Sequence, residues 1–241
     1  MSRPVALVTG ASSGIGLSTA RLLTLSGWSV ALVARSADKL QKLSAELEGS
    51  AVFVADVSEL AAVRKMVSDV HQHFGRIDVL VNNAGQGYDS PIEQTDPDTF
   101  RHVFELDVMS PLVTMQAVIP IMRLQGSGSI INISSGTTLM ALPNMGAYSS
   151  AKRALNGLSL TARAEVAKDH IAVSLVYPFI TATDFEKNTI KQLGQTEWFG
   201  GDGHEIPPAD TAEFVAEKIL EAIRTGVAEV YVHEWMKPKP E

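Results

Sequence analysis

The 241-residue chain is 45% hydrophobic and 20% charged, a balance that fits a folded soluble domain and argues against disorder. Its net charge of −7, with no basic run, excludes a nucleic-acid or anionic-membrane partner, and the absence of cysteine excludes disulfides, thiolate catalysis and cysteine-ligated zinc. No stretch approaches the roughly 20 apolar residues of a spanning helix, and the first apolar run is too short for a signal core, so a cytoplasmic protein is expected.

Taken in chain order, short apolar runs alternate with amphipathic segments. The runs fall at 5–8, 30–33, 52–55, 79–81, 130–133, 173–176 and 230–232. Most are apolar at nearly consecutive positions, as strands buried on both faces of a parallel sheet must be. Between them, Leu60, Val63, Val67, Val70 and Phe74 recur at helical spacing, as do Leu155, Leu158, Ala162 and Val166, and later Val215, Ile219 and Ile223. Asp56-Val57-Ser58 and Pro208-Ala209-Asp210 look like capped helix starts. The alternation predicts one α/β domain, a doubly wound parallel sheet with helices on both faces. Ligands in such sheets bind beyond the carboxyl ends of the strands. Residues 179–207 have weak periodicity and a glycine-rich stretch, and are expected to form a lid with a short helix over the substrate.

The first strand runs into Thr9-Gly10-Ala11-Ser12-Ser13-Gly14-Ile15-Gly16. A glycine-rich turn followed by a helix N-terminus lets backbone approach a pyrophosphate and offers it free N–H groups. A tight strand-to-helix turn is the plain alternative. Where the second strand ends, an acidic residue would bind the ribose hydroxyls of NAD. This chain has Ala34 there and then Arg35, whose guanidinium suits the extra phosphate of NADP. NADP (NADPH) is therefore the expected cofactor, with NAD as the alternative. Asp56 and Val57 close the third strand, and Asn82, Asn83, Ala84 and Gly85 the fourth, beside the adenine and ribose.

Past the middle, Tyr148 and Lys152 stand one helical turn apart, with Ser135 at the end of the fifth strand. A tyrosine titrates near ~10, and a nearby cation favours its phenolate. Ser134 and Ser135 alternate in direction, so one of the two should face the site. The histidines show no metal-ligand pairing, since His71 and His73 do not share a helix face, and no metal is expected.

On these residues, with Pro178 and Thr183, the chain resembles the short-chain dehydrogenase/reductase family, in its compact branch. The resemblance implies a Rossmann-like sheet of about seven strands, a nicotinamide cofactor, and hydride transfer between a carbonyl and an alcohol. It implies that Tyr148 is the general acid/base, that Lys152 holds the nicotinamide ribose and lowers the tyrosine pKa, and that Ser135 polarises the carbonyl. It also implies a homodimer or homotetramer and a small-molecule carbonyl or alcohol substrate. Three positions depart from the family pattern. Asp107 stands where asparagine is usual in a proton relay, and is expected to preserve that relay through its backbone carbonyl. Phe179 follows Pro178 where glycine is common. Thr181 replaces an apolar residue, and with Thr183 it remains a candidate contact for the carboxamide. Leu139, Met140, Met145, Phe179 and Trp198 are candidates for an apolar pocket, of which two or three are expected to line it. A non-catalytic NADP(H)-binding redox-sensing regulator is the alternative function. It is disfavoured because Ser135, Tyr148 and Lys152 are all present.

Overall fold

The computed structural model describes residues 3–192 and 208–238. Its centre is a seven-stranded parallel sheet. The strands are β1 (Val5–Thr9), β2 (Ser29–Ala34), β3 (Ser50–Val54), β4 (Val79–Asn82), β6 (Gly128–Ile133), β7 (Ile171–Tyr177) and β9 (Glu229–Tyr231). Two further strands of two residues each, β5 (Tyr88–Asp89) and β8 (Ile190–Lys191), pair with each other outside it. The sheet order is β3-β2-β1-β4-β6-β7-β9, so the direction of winding reverses between β1 and β4. The expected fold is the observed one.

The consecutive apolar residues are explained by period two. On β1, Ala6 and Val8 face one core and Leu7 the other. On β4, paired to β1 with Leu7 opposite Leu80, Val79 and Val81 join the first core and Leu80 the second. Helices α1 (Gly14–Leu25), α2 (Ala37–Glu46) and α8 (Ala212–Thr225) cover the first face through Leu23, Leu40 and Ile219. The second face is covered by α3 (Leu60–Phe74), α5 (Ser110–Gln125) and α6 (Gly146–Val166), through residues such as Val67, Val118 and Val166. Burying a strand on both faces removes all its apolar surface from water, at about 25 cal/mol per Å2.

Helix α4 (Pro97–Phe104) runs into α5 through a single π-helical turn, Glu105–Met109. This continuous run, 97–125, is the one helix among the described residues long and apolar enough to cross a membrane. In the fold it is a core helix, with Val113, Met115, Val118 and Met122 buried against the sheet.

Both expected helix starts are displaced. Asp56 forms a turn of its own, accepting from the Ser58 N–H at 3.0 Å and the Ser58 hydroxyl at 2.7 Å, and α3 begins only at Leu60. At the second start the cap is Thr211, whose hydroxyl accepts from the Phe214 N–H at 3.1 Å. Asp210 instead binds His233 Nε2 at 2.9 Å. Thr211→Ala is expected to cost about 1 kcal/mol, checked by thermal unfolding, because it orphans one first-turn donor.

Candidate active site

A cavity of about 1110 Å3 runs along the carboxyl ends of the strands. Arg35 follows β2 and Ser135 follows β6, and both line it. Those strands are three places apart in the sheet, so at about 4.8 Å per strand the cavity spans roughly 14 Å. That suits a ligand with chemistry at one end and a recognition group at the other.

At its middle, Gly10 turns with φ +66, a conformation that side chains disfavour. A Cβ on Gly16 would lie 2.3 Å from the Gly10 carbonyl oxygen, so the start of α1 packs directly on the turn. Ser13 caps α1 without a side-chain bond, and Gly14 and Ile15 in the first helical turn line the cavity with Ser12 and Ser13. The Thr9 hydroxyl accepts from the N–H groups of Asn83, at 3.0 Å, and Ala84, at 3.1 Å. Asn83 Nδ2 returns a bond to the Thr9 carbonyl at 2.9 Å. These bonds lock the Asn83-Ala84-Gly85 loop to the glycine turn. Asn82 has a structural role, bridging Asn132 at 2.8 Å and Thr114 at 2.7 Å. The close-packed glycines and the exposed helix end fit the phosphates of a dinucleotide.

At one end stands Arg35, with 79% of its side chain exposed, and its Nη1 lies 3.9 Å from Asp56 Oδ2. Burial pushes the Asp56 carboxyl up, but the Ser58 hydrogen bonds and the Arg35 charge outweigh it and leave Asp56 below the usual range. Lys39, one turn into α2, also lines this end, giving it a second cation that the sequence reading missed. Its signal was present: a basic residue four places after Arg35.

At the other end, α6 presents Tyr148 and Lys152, each at most 5% exposed. The Ser135 hydroxyl hydrogen-bonds the Tyr148 phenol, while the neighbouring Ser134 turns away to Asn156 at 2.6 Å. Thus Ser135 is the one that faces the site. Lys152 Nζ donates to the Ile133 carbonyl at 3.0 Å and lies 5.8 Å from the Tyr148 ring centre. Burial first, and then the Asp107 charge, push the Tyr148 phenol well above its ordinary range, against the Ser135 bond. Lys152 Nζ also lies 3.7 Å from Asp107 Oδ2.

Of the residues singled out in the sequence, Val57, Pro178, Thr181 and Thr183 also line the cavity. Gly16 lies beneath the turn and Asp107 behind Lys152, and neither lines it. Phe179 is not strained. Among the described residues the non-glycine positions with positive φ are Asn144 and His170. The Phe179 ring packs edge-on to Trp235 at 5.0 Å and closely over Gly136. Thr181 pairs with Asp210 in an isolated parallel bridge. Of the apolar pocket candidates, Met145 and Phe179 line the cavity, and Leu139 and Met140 do not. Trp198 lies outside the described residues, as do residues 193–207 of the expected lid. Gln86, from the loop after Gly85, and Phe185, from the expected lid, also line the cavity, as does Leu142, which was not foreseen. Phe185 opens the short helix α7 (Phe185–Asn188) and its ring sits 5.8 Å from that of Tyr148.

The sheet and this cavity define a nucleotide-binding α/β oxidoreductase. The model of the short chain dehydrogenase family matches residues 4–194. An uncharacterized oxidoreductase, YxjF, of Bacillus subtilis is 36% identical over 200 residues, covering 81% of this chain and 78% of its own. A short-chain dehydrogenase of Streptomyces avermitilis superposes with a TM-score of 0.86 at 31% identity, covering 96% of this chain and 88% of that one. An alcohol dehydrogenase of the archaeon Thermococcus sibiricus, solved with 5-hydroxy-NADP, gives 0.83 at 27% identity, with 99% of both chains covered. The chain belongs to the short-chain dehydrogenase/reductase family, the NAD(P)-dependent oxidoreductases of this fold.

Proposed function

We propose that the protein is an NADP(H)-dependent oxidoreductase that interconverts a carbonyl compound and the matching alcohol. The observation that carries this is the convergence of Ser135, Tyr148 and Lys152 at one end of a cavity whose other end holds Arg35 and Lys39. The bound cofactor supplies hydride in reduction and accepts it in oxidation. Tyr148 gives its proton to the carbonyl oxygen in reduction and takes it back from the hydroxyl in oxidation. The Ser135 hydroxyl donates a hydrogen bond to the same oxygen, where negative charge develops. Lys152 would hold the nicotinamide ribose. Gly10, Ser12, Ser13, Gly14 and Ile15 would hold the pyrophosphate, Asp56 and Val57 the adenine side, and Pro178, Thr181 and Thr183 the carboxamide.

The apolar wall of Leu142, Met145, Phe179 and Phe185 favours small to medium ketones or aldehydes. Residues 179–192, the described part of the expected lid, cover this wall. Support comes from α7, which lays Phe185 beside Tyr148, and from the β5–β8 pairing that ties this segment to the loop after Gly85. A homodimer or homotetramer belongs to the same reading, on the family resemblance alone.

Cofactor choice rests on Arg35, with Lys39 beside it. The Thermococcus sibiricus relative was solved with an NADP derivative, which supports the same choice. Nicotinamide fluorescence with NADPH and NADH tests it. Wild type is expected to prefer NADPH, and Arg35→Asp to lose at least about tenfold in NADPH affinity, the scale of one charge-assisted hydrogen bond. Equal binding of both cofactors by wild type would show Arg35 to be an ordinary surface residue.

A further inference from the structure

Asp107 is fully buried, in the π-helical turn that joins α4 to α5. Single π turns inside helices recur at functional sites. Its Oδ1 accepts from the Gln86 N–H at 3.0 Å. Its Oδ2 is buried without a hydrogen-bond partner, and Lys152 Nζ stands 3.7 Å away. Lys152 lines the cavity and Asp107 lies behind it. A Cβ added to Gly85 would be 2.8 Å from Asp107 Oδ1 and 3.3 Å from Lys152 Nζ. An ion pair so enclosed is poorly screened, so its charges act on whatever lies next to it.

Tyr148 is that neighbour. We infer that the Asp107 carboxylate is the counter-charge of Lys152 and withholds the lysine's charge from Tyr148, so that the site favours giving a proton to a carbonyl over taking one from an alcohol. This rests on the oxidoreductase reading above. The other groups nearby do not supply the same charge. Burial pushes the Asp107 carboxyl above its usual range, the Lys152 charge and the Gln86 N–H oppose this, and His102 of α4, which lines the cavity, adds only a weaker attraction. Asp89 is buried on β5, against α6. Glu186 and Lys191, at the substrate end, pair with each other at 3.5 Å. Arg153, next to Lys152 in sequence, spends its donors on the carbonyls of Thr138 and Met140, each at 3.0 Å.

The sign follows from the phenol. Reduction needs Tyr148 protonated, and oxidation needs its phenolate. A carboxylate beside Lys152 disfavours the phenolate, so it delays the rise of oxidation to higher pH and preserves reduction there. Asparagine at 107 keeps an oxygen for the Gln86 N–H and removes only the charge.

The test compares wild type with Asp107→Asn, using cyclohexanol with NADP+ and cyclohexanone with NADPH as probes. The rising limb of oxidation is expected to move down by about one pH unit in the variant, and its oxidation rate at a fixed pH below both midpoints to rise about tenfold. A second readout needs no turnover: tyrosinate absorbance of each protein minus that of its Tyr148→Phe counterpart. Its onset should fall at lower pH in Asp107→Asn, and adding Lys152→Gln to that variant should raise it again. Coincident pH profiles and coincident onsets would overturn the inference. Failure of wild type to turn over either probe counts against the oxidoreductase reading, and the tyrosinate onsets then decide the charge coupling on their own.

Discussion

Tyr148→Phe is expected to lower turnover of any accepted carbonyl or alcohol by about a thousandfold while leaving NADPH affinity unchanged. General acid–base groups contribute typically ~10^2 to 10^4 in rate, and the two polar side chains that converge with this one are engaged elsewhere. Ser135 bonds the phenol itself, and Lys152 is held by Ile133 and Asp107. The variant keeps the ring, so the contact with Phe185 survives and the fold is not perturbed. Steady-state kinetics with parallel fluorescence titration separates the two quantities. A loss smaller than about tenfold would mean that another group moves the proton.

Gly16→Ala should be the most damaging small substitution outside the reacting groups. The added Cβ would meet the Gly10 carbonyl oxygen at 2.3 Å and Asn83 Nδ2 at 2.5 Å. The first of these is backbone and cannot swing aside. Overpacking of this kind costs about 1–3 kcal/mol, and it displaces the helix end that would face the phosphates. Both the unfolding midpoint and NADPH affinity should fall. Gly157→Ala on α6 is the control, because nothing lies within 4 Å of its added Cβ. There, replacing an exposed helical glycine should stabilise by about 0.5–1 kcal/mol. If both variants behave alike, close packing at the glycine turn is not what holds the cradle in shape.

The sheet was legible because strands buried on both faces must be apolar at successive positions, a pattern that alternating strands cannot mimic. β1 shows why, with Ala6 and Leu7 serving opposite cores. The cradle was legible because only glycine suits a turn packed as closely as Gly10 on Gly16. Helix starts were read less well. Asp210 and Thr211 are both competent caps in a sequence, and only the pairing of Asp210 with His233 decides between them. Strands β5 and β8 have two residues each and therefore no period to read. The pocket wall was opaque for a related reason. Leu142 comes from an irregular segment and Phe185 opens a helix of four residues, too short for spacing to show side-chain direction. The Asp107–Lys152 pairing joins residues 45 positions apart, and the tyrosine's environment depends on it. An i,i+4 spacing placed Lys152 beside Tyr148 but said nothing about which partner would claim its charge.

The most direct test of hydride transfer uses NADPH carrying deuterium at the transferable position of the nicotinamide. Purified protein is incubated with it and a mixture of ketones and aldehydes, and the products are read by mass spectrometry. The account predicts an alcohol with deuterium on the former carbonyl carbon, formed by wild type and not by Tyr148→Phe. Tight NADPH binding with no deuterium in any product would contradict it, and would point to a protein that senses the cofactor without using it.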